Sequence, residues 1–167
     1  VVNEKTGKVK YELERIEYLK FLTQQGFYRY AVSDSNYIFI KVYNNTVKPV
    51  ELHDVKSFVF SYIEANHSSE ILEFLARGVK TYFNKELIEL LDYYDYYQHK
   101  STKETSYFYF QNKVVKLTNS KYEFLDYIDL DGFVWESHII KRDYEHLEHS
   151  QGDFFNFLMN VSGGNNI

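Results

Sequence analysis

The chain has 167 residues with 44% hydrophobic and 26% charged residues, a length and balance that suit one globular domain, or a large one with a small appendage. It carries no cysteine, which excludes disulfides, cysteine-based zinc sites and thiol catalysis. Its net charge of −5, from 19 Lys and Arg against 24 Asp and Glu, argues against a protein that grips phosphate backbones over its whole surface. What stands out is 19% aromatic content, with 17 Tyr and 14 Phe, so many tyrosines must sit with the ring packed and the hydroxyl at water or a partner.

Residues 11–25, "YELERIEYLKFLTQQ", place Leu13, Ile16, Leu19, Phe21 and Leu22 near one helical stripe. Gly26 follows where a left-handed helix terminus costs least. "FYRYAV" and "NYIFIKVYN" then alternate around "SDS" and predict a β-hairpin. Ile38, Ile40 and Val42 should face one way, and Tyr37, Phe39, Lys41 and Tyr43 the other. A short third strand, "TVKPVE", contains the single proline, Pro49, which predicts an edge position or a strand end.

A helical half follows. Residues 52–65 carry Val55, Phe58, Val59, Tyr62 and Ile63 on one face. "SSEILEFLARGVKTYF" predicts a helix capped by Ser69, and "NKELIELLDYYDYY" one capped by Asn84, with Leu87, Ile88, Leu90 and Leu91 inward. After a polar loop, "QHKSTKETS", come "SYFYFQN", "KVVKLT" and "KYEFLDY". These predict three strands, with turns at Asn112–Lys113 and Asn119–Ser120 and one face buried. "GFVWESHII" predicts a further extended segment, and residues 151–160 a last helix. The fold class expected is α+β: a helix and hairpin sheet over 1–50, a helical cluster over 51–100, and antiparallel strands with a final helix over 101–167. The start at Val1 and the ending "LMNVSGGNNI" suggest a segment excised from a longer protein.

Chemical motifs are sparse. His146 and His149 sit at helical i, i+3 spacing beside Glu145 and Glu148, but the zinc-protease pattern is not matched and no third ligand is evident; solvated loop residues are the better reading. "DYIDLDG" at 126–132 faintly resembles a calcium loop. Tyr127 stands where its first acidic ligand belongs, and His138 where its closing glutamate belongs, so Asp129, Asp131 and Gly132 read as turn chemistry. No phosphate-cradling glycine loop and no nucleophile elbow occurs, so no catalytic residue, metal site or cofactor is assigned to this segment. One face has the residue types for stacking bases: Tyr28, Tyr30, Phe39, Lys41 and Tyr43, with Arg29 nearby. Aromatics on strands are more often core, and that reading stands beside the first.

Three stretches, "YLKFLTQQGFYRY" at 18–30, "FYFQNKVVKLTNSKYEFLDYIDLDGFVWESHIIKRDY" at 108–144 and "GDFFNFLMNVSGGN" at 152–165, point further. In that order they resemble the segment that precedes the helicase core in phage and plasmid primase-helicases of the poxvirus type, including versions in mobile elements of Bacteroides-like bacteria. The resemblance implies a leading helix, a hairpin carrying Gly26, Phe27, Arg29 and Tyr30, then helices. It also implies a strand pair at Phe110, Asn112, Val114 and Val115, and an element with Trp135, Ile139 and Ile140. Lys113 stands where that family tends to place glycine. The resemblance implies ATPase motifs beyond Ile167 and any primase centre before Val1, in a parent that is an ATP-dependent DNA helicase and primase.

The expected function is therefore a cytoplasmic, non-catalytic accessory domain that positions DNA or assists ring assembly. Its expected partners are the adjacent helicase and primase domains, single-stranded DNA through the Arg29 and Lys41 patch, and further copies through the parent ring, with no membrane. The competing expectation is a stand-alone protein-interaction module or regulator from a phage or mobile element; an enzyme in its own right comes third.

Overall fold

Each amphipathic segment finds a partner layer, and the order of those layers follows the chain. The computed structural model describes residues 11–145. Helix α1 (Arg15–Gln24) leads into β1 (Phe27–Ser33), β2 (Asn36–Tyr43) and β3 (Thr46–Pro49). Helices α2 (Leu52–Asn66), α3 (Ser69–Arg77), α4 (Val79–Tyr82) and α5 (Lys85–Ile88) follow. A second group of strands, β4 (Thr105–Tyr109), β5 (Val114–Thr118) and β6 (Tyr122–Leu125), precedes the short β7 (Val134–Trp135). The class is α+β, with a four-stranded sheet ordered β1-β2-β3-β7 and a three-stranded sheet ordered β4-β5-β6.

The first sheet is antiparallel until β7, which pairs parallel to β3 through Thr46 with Val134 and Val47 with Trp135. Strand β3 ends at Pro49, as the missing N–H requires. It is nevertheless an inner strand, because β7 returns from far along the chain to cover it. Gly26 has φ +87°, and a Cβ there would lie 2.2 Å from the Val42 carbonyl oxygen, so a left-handed, side-chain-free residue is required where α1 turns into the sheet. A two-residue turn at Asn44 and Asn45, both with positive φ, joins β2 to β3 and matches the twist of the strands. The Asn45 side-chain amide donates to the carbonyls of Ile128 and Leu130, tying this hairpin to the second half of the chain.

Both faces of the first sheet are covered. On one side Phe27 joins a core of Tyr18, Leu19, Leu22, Val55, Val59, Leu75, Leu87, Ile88 and Leu91 from the helices, with Phe39 packed against it. On the other side Ile40 and Val47 pack with Phe133, flanked by Tyr28, Tyr30, Tyr94 and Trp135. Full burial of each large apolar side chain contributes about 1.5–3 kcal/mol, so these two layers hold the fold. The Tyr18 hydroxyl is buried in the helical core without a hydrogen-bond partner, and burial pushes its pKa up.

Several expectations are corrected. In α1, Ile16 points to solvent with 61% exposure, and Tyr18 takes the inward place. The cap of α3 is Ser68 rather than Ser69, and Gly78 separates α3 from α4. Asn84 does cap, accepting from the Leu87 N–H at 2.8 Å. That helix nevertheless stops at Ile88, and Leu90 is exposed. The tyrosine cluster that follows is extended: Arg29 N–H donates to Asp92 O, Tyr94 N–H donates to Arg29 O, and Arg29 and Tyr93 form a parallel bridge that covers the edge of β1. A run of tyrosines with no helical stripe gains more from pairing with that open edge than from another turn of helix. The connection from β4 to β5 spans Phe110–Lys113, one residue earlier in its centre than predicted, and Thr118 to Lys121 closes the next turn as expected. Of "GFVWESHII" only Val134–Trp135 is strand, followed by a 3-10 turn at Glu136–His138. The helix expected at 151–160 lies outside the described residues. Among the described residues no helix is long and apolar enough to cross a membrane.

Candidate functional site

The predicted stacking patch does not form one surface. Strand alternation, fixed by pairing of Tyr28 with Ile40 and of Arg29 with Phe39, sends Tyr28 and Tyr30 to the face opposite Phe39 and Lys41. Tyr28 packs on Tyr94 with ring centroids 5.2 Å apart, and Tyr30 meets Phe133 and Trp135 edge-on, each at 5.4 Å. Phe39 packs against the helical core. The Lys41 ammonium lies 3.9 Å from the centre of the Phe58 ring and 4.9 Å from that of Phe27; burial, assisted by Lys48, lowers its pKa. Arg29 donates from Nε to the Leu91 carbonyl at 2.6 Å, and its guanidinium lies 4.1 Å from the Tyr93 ring centre and 5.6 Å from that of Tyr37. Both cations thus bind the sheet to the helices and to the tyrosine segment. Tyr43 alone of the six is strongly exposed, at the end of β2 beside a cleft.

The exposed aromatic surface lies elsewhere, on the three-stranded sheet. Its inner face carries Val114, Tyr107, Tyr109 and Leu125, which pack with Leu130, Val134, Tyr127 and Ile139. Tyr127 fastens this layer by donating its hydroxyl to the Phe110 carbonyl at 2.6 Å, and burial with Tyr109 nearby pushes its pKa up to about 12. The outer face follows from the register: Phe108 pairs with Val115, Val115 with Phe124, and Leu117 with Tyr122. Val115 is buried at the centre. Around it Phe108, Leu117, Tyr122 and Phe124 keep 46%, 45%, 54% and 45% of their surface in solvent; among the described residues outside the sheet strands, Lys113 and Tyr144 reach this set, both at Phe124. Four large apolar side chains bare on one face form a contiguous patch, the kind that marks an interaction surface.

A strap beside this face completes it. Gln111 N–H donates to the Arg142 carbonyl, Ile140 N–H to the Tyr109 carbonyl, and the Asn112 amide group exchanges two hydrogen bonds with the Tyr144 backbone. The strap sets Tyr144 against Phe124 at 5.0 Å and against Phe110 at 5.4 Å, extending the Tyr122–Phe124 pair into a row of four rings. Lys113, from the β4–β5 turn, holds its ammonium 4.8 Å from the Phe124 ring centre and 5.9 Å from that of Tyr144. Arg142 lies 5.8 Å from Phe110. Among the described residues neither cation makes an ion pair, whereas Lys116 and Lys121 both meet Glu123.

Sequence reasoning passed over this face because β4 is apolar at both parities: Tyr107 and Tyr109 on one side, Phe108 and Phe110 on the other. The available signal was that such a strand needs two covering layers, and among the described residues the segment from Thr105 to Leu125 joins only one core cluster.

Between the two sheets a cleft of about 620 Å3 is lined by Tyr43, Asn44, Asp126, Ile128, Glu136 and Lys141 among others. Its lining of two carboxylates and one ammonium is weakly acidic, and nothing in it among the described residues gathers the three or more ligands a metal ion needs. The acidic stretch at 126–132 forms a 3-10 turn, Tyr127–Asp129, and Gly132 has φ +105° with its backbone against the Tyr97 carbonyl. The turn reading therefore accounts for it. Among the described residues no group of three or more His, Asp or Glu stands close enough to hold a metal ion, and His146 and His149 lie outside those residues. No family model matches the chain, and no curated protein or solved structure matches it either.

Proposed function

We propose that this chain is a non-catalytic accessory domain of a DNA replication primase-helicase. It works in the cytoplasm beside an ATPase core and supports DNA positioning or ring assembly through surface contact. The observation that carries the reading is the outer face of β4–β6, where Phe108, Leu117, Tyr122 and Phe124 stay exposed around a buried Val115. A face of half-exposed rings among the described residues is suited to bind something, since exposed rings cost solubility without adding stability. The replication assignment rests on the resemblance of residues 18–30, 108–144 and 152–165 to the segment before the helicase core. In this reading the partners are the neighbouring helicase and primase domains and, through the parent ring, further copies.

The same exposed face also suits a stand-alone interaction module of a phage or mobile element. The parent reading frame separates the two. The accessory-domain reading expects a phosphate-binding G-x-x-x-x-G-K-[ST] loop encoded within the next couple of hundred residues or so, and ATP-dependent ring assembly when that region is expressed with this chain. A stop codon directly after Ile167 contradicts it.

A further inference from the structure

We infer that the outer face of β4–β6 is a stacking platform for single-stranded nucleic acid, with Lys113 and Arg142 as its phosphate contacts. Three features on that face agree. The rings of Tyr122, Phe124, Tyr144 and Phe110 run as a row with neighbouring centroids 5.0–5.5 Å apart. Bases stack on such rings with little regard for sequence, since every base presents a π-face. Two cations rest on the same rings without an ion-pair partner among the described residues, so both retain charge for an anion. The strand residues that point outward, Ser106, Phe108, Val115, Leu117, Tyr122 and Phe124, include no carboxylate; the nearest strand carboxylate, Glu123, pairs with Lys116 across the register and with Lys121.

Charge complementarity thus selects a polyanion with flat apolar groups over a second apolar protein face, which would leave Lys113 and Arg142 without counter-charges. The cations of the β1–β2 patch are more enclosed: Arg29 donates to the Leu91 carbonyl and lies over Tyr93, and Lys41 is half-buried over Phe27 and Phe58, rings of the helical core. The inference deepens the accessory-domain reading by naming the partner of its surface, and it rests on that reading only for where the strand comes from.

The test is fluorescence anisotropy of the full chain with labelled thymidylate and uridylate oligomers of about twenty nucleotides, beginning at about 50 mM salt. Saturable binding is expected, weakened roughly tenfold by Phe124→Ala. The double variant Lys113→Gln with Arg142→Gln is expected to flatten the slope of log affinity against log salt by about 1.4, from about 0.7 per phosphate contact on single strands. Lys41→Met leaves both quantities unchanged. The two oligomers tell DNA from RNA as the source. Absence of binding at low salt overturns the inference, as does binding indifferent to both variants. Self-association that Phe124→Ala abolishes, with no oligomer bound, assigns the face to a second copy and also overturns it. Oligomer binding by a chain whose reading frame stops after Ile167 keeps the platform and removes the primase-helicase reading. A frame with the ATPase loop but no oligomer binding does the reverse.

Discussion

The two sheets of this protein are written in the same alphabet and end in opposite states. Strands β1 and β2 alternate aromatic, aliphatic and basic residues, and both of their faces are covered: helices close one side, and Tyr94, Phe133 and Trp135 close the other. Strands β4 to β6 use the same residue types, yet among the described residues only their inner face joins a core cluster. The cations follow the sheets. Arg29 and Lys41 are drawn into the structure, where their stems and charges cover rings. Lys113 and Arg142 rest on rings that face water. Whether an aromatic strand becomes core or surface is thus decided by how many layers the rest of the chain can supply.

Substituting equivalent rings is the strongest way to break this comparison. Phe133→Ala empties a fully buried place between Tyr30, Tyr94 and Trp135 and is expected to cost about 3–5 kcal/mol in urea unfolding. Phe124→Ala on the open face is expected to cost about 1 kcal/mol or less. Equal losses would mean the two sheets do not differ.

The cations give the next largest contrast. Arg29→Ala leaves the Leu91 carbonyl without its charged donor and is expected to lower stability by about 2 kcal/mol. Arg142→Ala, whose side chain only overlies Phe110, is expected to stay within about 0.5 kcal/mol of the parent. Denaturant midpoints for the two proteins check both values.

Much of this was legible in the sequence, and the limits have physical causes. Alternation and turn residues located β1, β2, β5 and β6 because a two-residue period and a turn are local properties. Gly26 announced a left-handed residue and has φ +87°. The partner of a face, by contrast, is a non-local property. Pro49 announced an edge position or a strand end, and β3 does end there, but nothing near Thr46 says that Val134 will return to pair beside it and make β3 an inner strand. Nothing near Tyr93 says that the open edge of β1 will hold it extended, so the α5 helix read too long. The one-face grouping of the stacking patch is corrected for a related reason: the register pairs Tyr28 with Ile40 and Tyr30 with Ile38, which puts these tyrosines on the face opposite Phe39 and Lys41.

A third contrast concerns hydroxyls within the two buried layers. Tyr18 in the helical core has an unpartnered hydroxyl, whereas that of Tyr127 beneath the second sheet donates to Phe110. Tyr18→Phe removes a desolvated polar group and is expected to stabilise the protein by about 1 kcal/mol, while Tyr127→Phe is expected to cost about as much. Opposite signs in thermal melts sharpen the comparison; a shared sign breaks it.

A further effect is in alkali. The pKa of Tyr127 is raised in the folded state from 10.0 to about 12. The folded chain therefore keeps its phenol proton where the unfolded chain has lost it. That contribution is complete below pH 10 and is lost as pH rises toward about 12. Stability measured across this window should fall less steeply for Tyr127→Phe than for the parent.

The central claim is that the outer face of β4–β6 belongs to no core among the described residues. Unfolding of the double variant Phe108→Ser with Phe124→Ser tests it directly. The account predicts a loss of about 2–3 kcal/mol at most, because each half-exposed ring gives up only about half of the ~1.5–3 kcal/mol that full burial contributes. A loss above about 6 kcal/mol, the scale of two core phenylalanine truncations, would contradict it and place that face inside the protein.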